Sequence, residues 1–334
     1  MKLGSLKPDK ALGNNLDGEL IVFNKDRTQF IRASHIVPSL REALEKWAQV
    51  SPSLEKLSAE LNKGQLEKAE AVKDENQFLA CLPRTWLFVD GSAFIHHVKL
   101  VRQARKAPLP ETLLTVPLVY QAESGRFLSP TEDIPQVDFS HGTDFEAEVG
   151  VIVDFVPMGT KADEALKHIK LIVLINDVSL RGLIPAELAG GFGFYQSKPA
   201  KALSPCAVTP DELGTNWQNG RVHLPLLVDY NGKFFGKANA KEMHFNFGRL
   251  IEHAAKTRDI AAGSLIGSGT VSNEDPNMGS SCLVEKRMIE TIHSGEAKTP
   301  FMKDQDTVEI KMLDQNGQDI FGRIFQKVKS IKKN

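Results

Sequence analysis

The chain has 334 residues, with 41 Lys and Arg against 42 Asp and Glu, a formal net charge of −1. Its 41% hydrophobic and 25% charged content is that of a globular protein and excludes a disordered one, and a length prior of about 150 residues per domain makes two domains the expectation. A near-zero charge balance removes the bulk electrostatic case for binding nucleic acid, and Cys81, Cys206 and Cys282 are too far apart for a disulfide framework or a zinc knuckle.

Met1 to Phe30 has no apolar segment of the kind a secretory signal needs. The densest apolar run, Leu171–Ile175, falls far short of the ~20 residues that cross a bilayer. A cytoplasmic protein with no membrane partner is expected. Residues 17–37 alternate apolar and polar around Asn24–Asp26, which predicts a β-hairpin and a further short strand. Ser39 is placed to cap a helix over 38–49, with Leu40, Ala43, Leu44, Trp47 and Ala48 at helical spacing. Residues 51–75 read as an exposed helix, with Leu54, Leu57 and Leu61 on one side, and then a charged linker. The first 80 residues form a small N-terminal α+β unit on this reading, and 81–334 the remainder.

Beyond Cys81 the texture is mainly β. Strands are expected at 86–89, 147–156, 171–176, 207–208, 222–228, 308–312 and 320–326, with helices only near 91–105, 161–168 and 246–257. Such a pattern lacks the regular strand–helix alternation of a doubly wound fold.

Five short stretches carry chemistry-bearing residues. In Asp144-Phe-Glu146-Ala-Glu148 the two glutamates sit at i and i+2, on one face of a strand. Their like charges read either as a solvated strand end or as oxygen ligands for a hard cation. Asp177, after the apolar run LIVLI, reads as a helix N-cap or as a site carboxylate. Asp90 and His97 are seven residues apart, about two helical turns, and share one side of an element. Lys198 precedes Pro199 in a loop after a Gly-rich segment, and is either a surface lysine or a group that stabilises a developing oxyanion. Gly269-Thr270 lies in a small polar turn.

In chain order, with Asp90 and His97 first, then Glu146 and Glu148, Asp177, Lys198 and Gly269-Thr270, the stretches resemble the fumarylacetoacetate hydrolase superfamily, from about residue 85 to the C-terminus, with the first 80 residues similar to its small N-terminal domain. The resemblance implies an α+β, mainly β fold: a mixed β-sandwich roll with few helices. It implies Asp90, Glu146, Glu148 and Asp177 as metal ligands for Mg²⁺ or Ca²⁺, with Mn²⁺ a third option. It assigns His97 as general base, Glu285 as its orienting partner and Lys198 as the group beside the leaving enolate. Tyr120, Arg181, Thr270 and Arg105 are assigned to substrate. A homodimer and a role in aromatic amino-acid catabolism, tyrosine degradation in particular, follow from the same resemblance.

The chain departs from the family pattern at Pro199, where glycine follows the lysine, at Ser92, where an aromatic stands, and over 182–191, which lacks a substrate-contacting glutamine and tyrosine. The departures fall on the substrate wall rather than on the ligand and base positions. The expected reaction is hydrolysis of a C–C bond in a small β-diketo acid, fumarylacetoacetate first. An acylpyruvate or fumarylpyruvate hydrolase and an oxaloacetate decarboxylase are the alternatives on the same scaffold, and a non-catalytic binding protein is the alternative of another class.

Overall fold

The computed structural model describes residues 1–8, 16–104 and 108–331. The expected hairpin is formed by Glu19–Phe23 and Gln29–Arg32, in the register Ile21 opposite Arg32. The further short strand is instead a turn at residues 34–36. Ser39 does cap a helix, Leu40–Glu45, its Oγ accepting from the Glu42 N–H at 3.3 Å. A second helix, Trp47–Asn62, starts earlier than expected. It is not simply exposed, because Leu54, Leu57 and Leu61 are buried as a stripe against the sheet.

One mixed sheet of eleven strands organises the molecule. From one edge it runs Glu70–Ala71, Gln29–Arg32, Glu19–Phe23, Lys2–Leu6, Cys206–Val208, Ile169–Asn176, Ala147–Val153, Leu265–Gly267, Phe88–Gly91 and Val119–Ala122, with Ala202–Leu203 paired to Ile169–Asn176 off this path. The sheet passes through position 80 without a break, because Lys2–Leu6 pairs with Cys206–Val208 on one side and with Glu19–Phe23 on the other. A second sheet of five strands, Lys233–Gly236, Leu227–Tyr230, Thr307–Lys311, Ile324–Ser330 and Ile134–Gln136, covers one face.

The run LIVLI is explained by this layering. Ile172 and Leu174 enter the core shared with Val308, Ile310 and Ile324 of the second sheet. Leu171, Val173 and Ile175 enter the core beneath the Leu40 and Leu54 helices. A strand covered on both faces reads as continuously apolar rather than alternating. Two helices are not expected from the sequence, Ile184–Gly190 and Leu283–Ser294. The second packs against the Ile95–Ala104 helix and carries Glu285 in its first turn. Among the described residues no helix is long and apolar enough to cross a membrane.

Candidate active site

The central strands deliver three carboxylates to one place. Asp90 sits near the end of Phe88–Gly91, Glu148 in Ala147–Val153, and Asp177 one residue beyond Ile169–Asn176. Strand Leu265–Gly267 lies between the first two, with Gly267 opposite both Asp90 and Gly150. A Cβ on Gly267 would stand 2.2 Å from Asp90 Oδ1, so only glycine lets this carboxylate lie across the neighbouring strand. Asp90 Oδ1 also accepts from the Gly269 N–H at 3.2 Å. Gly269 itself has φ +76°, a left-handed conformation that glycine tolerates.

Oxygens of Asp90, Glu148 and Asp177 lie within 4.8 Å of one another, and all three residues are buried. Both oxygens of Glu148 lack a hydrogen-bond donor. Burial, and then the charge of Asp177, push the Asp90 carboxyl above the ordinary carboxylate range. Burial, then Asp90 and Asp177, push Glu148 well above it. A cluster of buried carboxylates, one of them wholly undonated, fits a hard divalent cation, which takes oxygen ligands and offsets their repulsion. Neither Asp90 nor Asp177 caps a helix: Asp177 is followed by the short strand Ser179–Leu180.

Glu146 is the exception among the four expected ligands. It is buried, but its oxygens are occupied by basic groups and a hydroxyl. Oε1 accepts from Arg181 Nη2 and from Ser179 Oγ at 3.2 Å, and Oε2 from Lys198 Nζ at 3.2 Å. Against the cost of burial, Arg181 and Lys198 hold its carboxyl well below the usual range. Glu146 remains close enough for its charge to raise Asp90 and Glu148, while its own oxygens pair with two cations that no spacing rule sees.

Lys198 also donates to Asp177 Oδ2, which accepts from Tyr120 Oη at 2.8 Å as well. Lys198 is buried, and although burial alone lowers a lysine, Asp177 and Glu146 raise its pKa above the ordinary value. Sequence reasoning does not pick out Lys201. It is fully buried, with Nζ 3.3 Å from Asp177 Oδ1 and 2.6 Å from the Pro199 carbonyl. Burial lowers its pKa despite the pull of Asp177. Its signal, a second lysine three residues after Lys198, is present but uninformative alone.

On the facing side, His97 Nδ1 lies 2.9 Å from Glu285 Oε2, and Glu285 is buried. The pair joins the Ile95–Ala104 and Leu283–Ser294 helices. Asp144, which had no assigned role, organises this contact. Its Oδ1 accepts from the Leu283 N–H at 2.7 Å, and Oδ2 from the Val284 N–H at 3.0 Å and Arg181 Nε at 2.9 Å. The helix carrying Glu285 is therefore capped from a distant strand, since its own N-cap residue Cys282 makes no side-chain cap bond. Arg181, expected at the substrate, has Nε and Nη2 committed to Asp144 and Glu146.

A cavity of about 460 Å³ opens over these groups, lined among others by Asp90, His97, Tyr120, Arg181, Lys198 and Thr270. Tyr120 meets Phe194 edge to face at 5.1 Å, so an aromatic pair forms one wall. Arg105 lies outside the described residues.

Comparison with known proteins decides the family. Residues 87–329 match the family model described as fumarylacetoacetate (FAA) hydrolase C-terminal. The chain belongs to the fumarylacetoacetate hydrolase family. Residues 1–84 match the family's fumarylacetoacetase N-terminal domain 2. A curated relative is the 2,4-didehydro-3-deoxy-L-rhamnonate hydrolase of Sphingomonas sp. (strain SKA58), 29% identical over 166 residues, 49% of this chain and 54% of the relative. The match thus spans about half the relative's length. The fold is that of maleylpyruvate hydrolase from Sphingobium sp. SYK-6, at TM-score 0.65 and 12% identity over 99% of this chain and all of that one. It is also that of 2-hydroxyhepta-2,4-diene-1,7-dioate isomerase from Mycobacterium marinum, at TM-score 0.57 and 16% identity, covering 100% of both chains.

Proposed function

We propose that the protein is a metal-dependent hydrolase that cleaves a C–C bond in a small β-diketo acid, with fumarylacetoacetate as the first substrate to try. The observation that carries this reading is the undonated Glu148 carboxylate, grouped with Asp90 and Asp177, beside a cavity lined by Asp90 and by His97, the partner of Glu285. Asp90, Glu148 and Asp177 would hold the cation, with Mg²⁺, Ca²⁺ and Mn²⁺ all suited to carboxylate oxygens. When bound, such a cation supplies Lewis-acid polarisation of a carbonyl.

The protein's own groups account for the rest. Glu285 accepts the Nδ1–H of His97, which leaves Nε2 as the basic nitrogen. Nε2 takes a proton from water as the water oxygen bonds to the carbonyl carbon. The carbon–carbon bond then breaks, its electron pair passes into the enolate of the leaving fragment, and the proton held on His97 returns to that carbon. Lys198, an ammonium at the cavity floor, stabilises the enolate charge. The His97–Glu285 pair favours hydrolysis over decarboxylation, which needs no activated water. Tyr120 and Thr270 line the same space and are assigned to the substrate. We also assign two chains to the functional assembly, to be checked by light scattering.

The test follows the loss of diketone absorbance of fumarylacetoacetate. Rapid loss that EDTA stops and Mg²⁺ restores is the expected result. No loss, with Mg²⁺ bound, moves the assignment to another acyl group; loss unaffected by EDTA overturns the metal-dependent mechanism.

A further inference from the structure

The cavity is charged differently along its lining. Its floor has Asp90, Glu146 and Lys198, and its walls carry the apolar side chains of Val98, Ile184, Leu188 and Met288. Two more guanidinium groups face the same space, Arg102 and Arg287. Arg102 lies five residues past His97, ~7.5 Å further along the helix axis. Arg287 lies two residues past Glu285 on the partner helix.

Arg181 differs from these two because its charge is consumed by Asp144 and Glu146. Among the described residues Arg102 and Arg287 make no ion pair. Arg102 has one long bond, Nη1 to the Pro108 carbonyl at 3.4 Å. Arg287 donates Nη1 to the Thr299 carbonyl and stacks its guanidinium over Phe301 at 4.3 Å. That arrangement fixes the plane of Arg287 while leaving its other N–H groups uncommitted. Nearby acids are already used: Glu285 by His97, and Glu290 by the Lys298 and Thr299 N–H groups and the Thr299 hydroxyl. Two unpaired, half-buried guanidinium groups in an otherwise apolar wall match a carboxylate, which they bind through paired charge-assisted hydrogen bonds.

We propose that Arg287 and Arg102 are specificity-determining residues that receive a second anionic group, so that the substrate is a diketo acid with a carboxylate at the end remote from the cation. The inference rests on the diketo-acid reading above and adds which end of the substrate is read and by which residues. An uncharged end, such as an alkyl or polyhydroxyl chain, would leave both guanidinium groups without a counter-charge.

The experiment compares succinylpyruvate with butanoylpyruvate, which differ in a terminal carboxylate against a methyl group. Dissociation constants are measured by calorimetry on the full chain with Mg²⁺ present. Succinylpyruvate is expected to bind at least about tenfold more tightly. In Arg287→Met that ratio falls toward one, and Arg287→Lys, which keeps the charge but loses the planar fork, lies between. Arg102→Met gives an independent loss of ratio at a site held by a single long bond. Equal affinities in the unmodified protein, no binding of succinylpyruvate, or a variant that weakens both ligands by the same factor overturns the proposal. Preferential binding of succinylpyruvate without cleavage upholds it while overturning the hydrolase reading.

Discussion

A buried carboxylate with no hydrogen-bond donor carries a desolvation cost of several kcal/mol unless a cation sits against it or it takes up a proton. Glu148 is in that position, with two further acids beside it. Glu148→Gln is therefore expected to weaken Mg²⁺ binding by a factor of ~100 or more in calorimetry while the fold is kept. His97→Ala should leave Mg²⁺ affinity within about threefold and lower kcat by ~10²–10⁴, the usual weight of a general base. A His97→Ala protein with full turnover would remove the histidine from the mechanism. Residue types and short spacings are enough to bring Asp90, His97, Glu148, Asp177 and Lys198 to notice, because each needs only its own neighbours to stand out, whereas Glu285 is reached only through the family resemblance. The partnership of Glu146 with Arg181 and Lys198 is not legible: it joins positions 35 and 52 residues apart, which only the folded chain brings together.

At the scale of elements, the fully buried strands and the Ser39-capped helix follow from local pattern, whereas the Leu283–Ser294 helix does not. Its N-terminal residue Cys282 offers no cap, and the cap that exists comes from Asp144, 139 and 140 residues away. Lys2–Leu6 escapes sequence reasoning for a related reason. All five residues are buried, Lys2 and Ser5 included, so neither alternation nor a continuous apolar run marks the strand. Asp144→Asn keeps the size of the side chain but turns one acceptor into a donor facing donors. We expect it to destabilise by about 1–3 kcal/mol in denaturant unfolding, and to lower kcat by displacing Glu285 while Mg²⁺ affinity changes little. Unchanged kcat would show that Glu285 is aimed by other contacts.

For the whole molecule, charge ties distant segments together as the shared sheet does. Asp17 accepts from Arg84 Nε at 2.7 Å and from Arg41 Nε at 3.1 Å, and so links three distant points of the first 84 residues. Burial opposes its ionisation, yet the hydrogen bonds and charges of Arg84 and Arg41 hold its carboxyl below the ordinary range. A folded-state pKa that is depressed contributes stability above the unfolded value of about 3.9 and loses it as pH falls through the folded one. Asp17→Asn should accordingly lower Tm by roughly 2–4 °C at neutral pH, and the gap to the unmodified protein should close below about pH 4. A gap that persists there would assign the loss to packing instead of charge.

The strand Lys2–Leu6 has a temporal consequence as well as a spatial one. It leaves the ribosome well before one of its two neighbours, Cys206–Val208, which emerges some two hundred residues later. Until then its unpaired edge is open to other chains, since pairing at such separation is slow and exposes aggregation-prone edges. Synthesis rate and chaperone supply, more than the final stability of the fold, are what this topology makes decisive for yield.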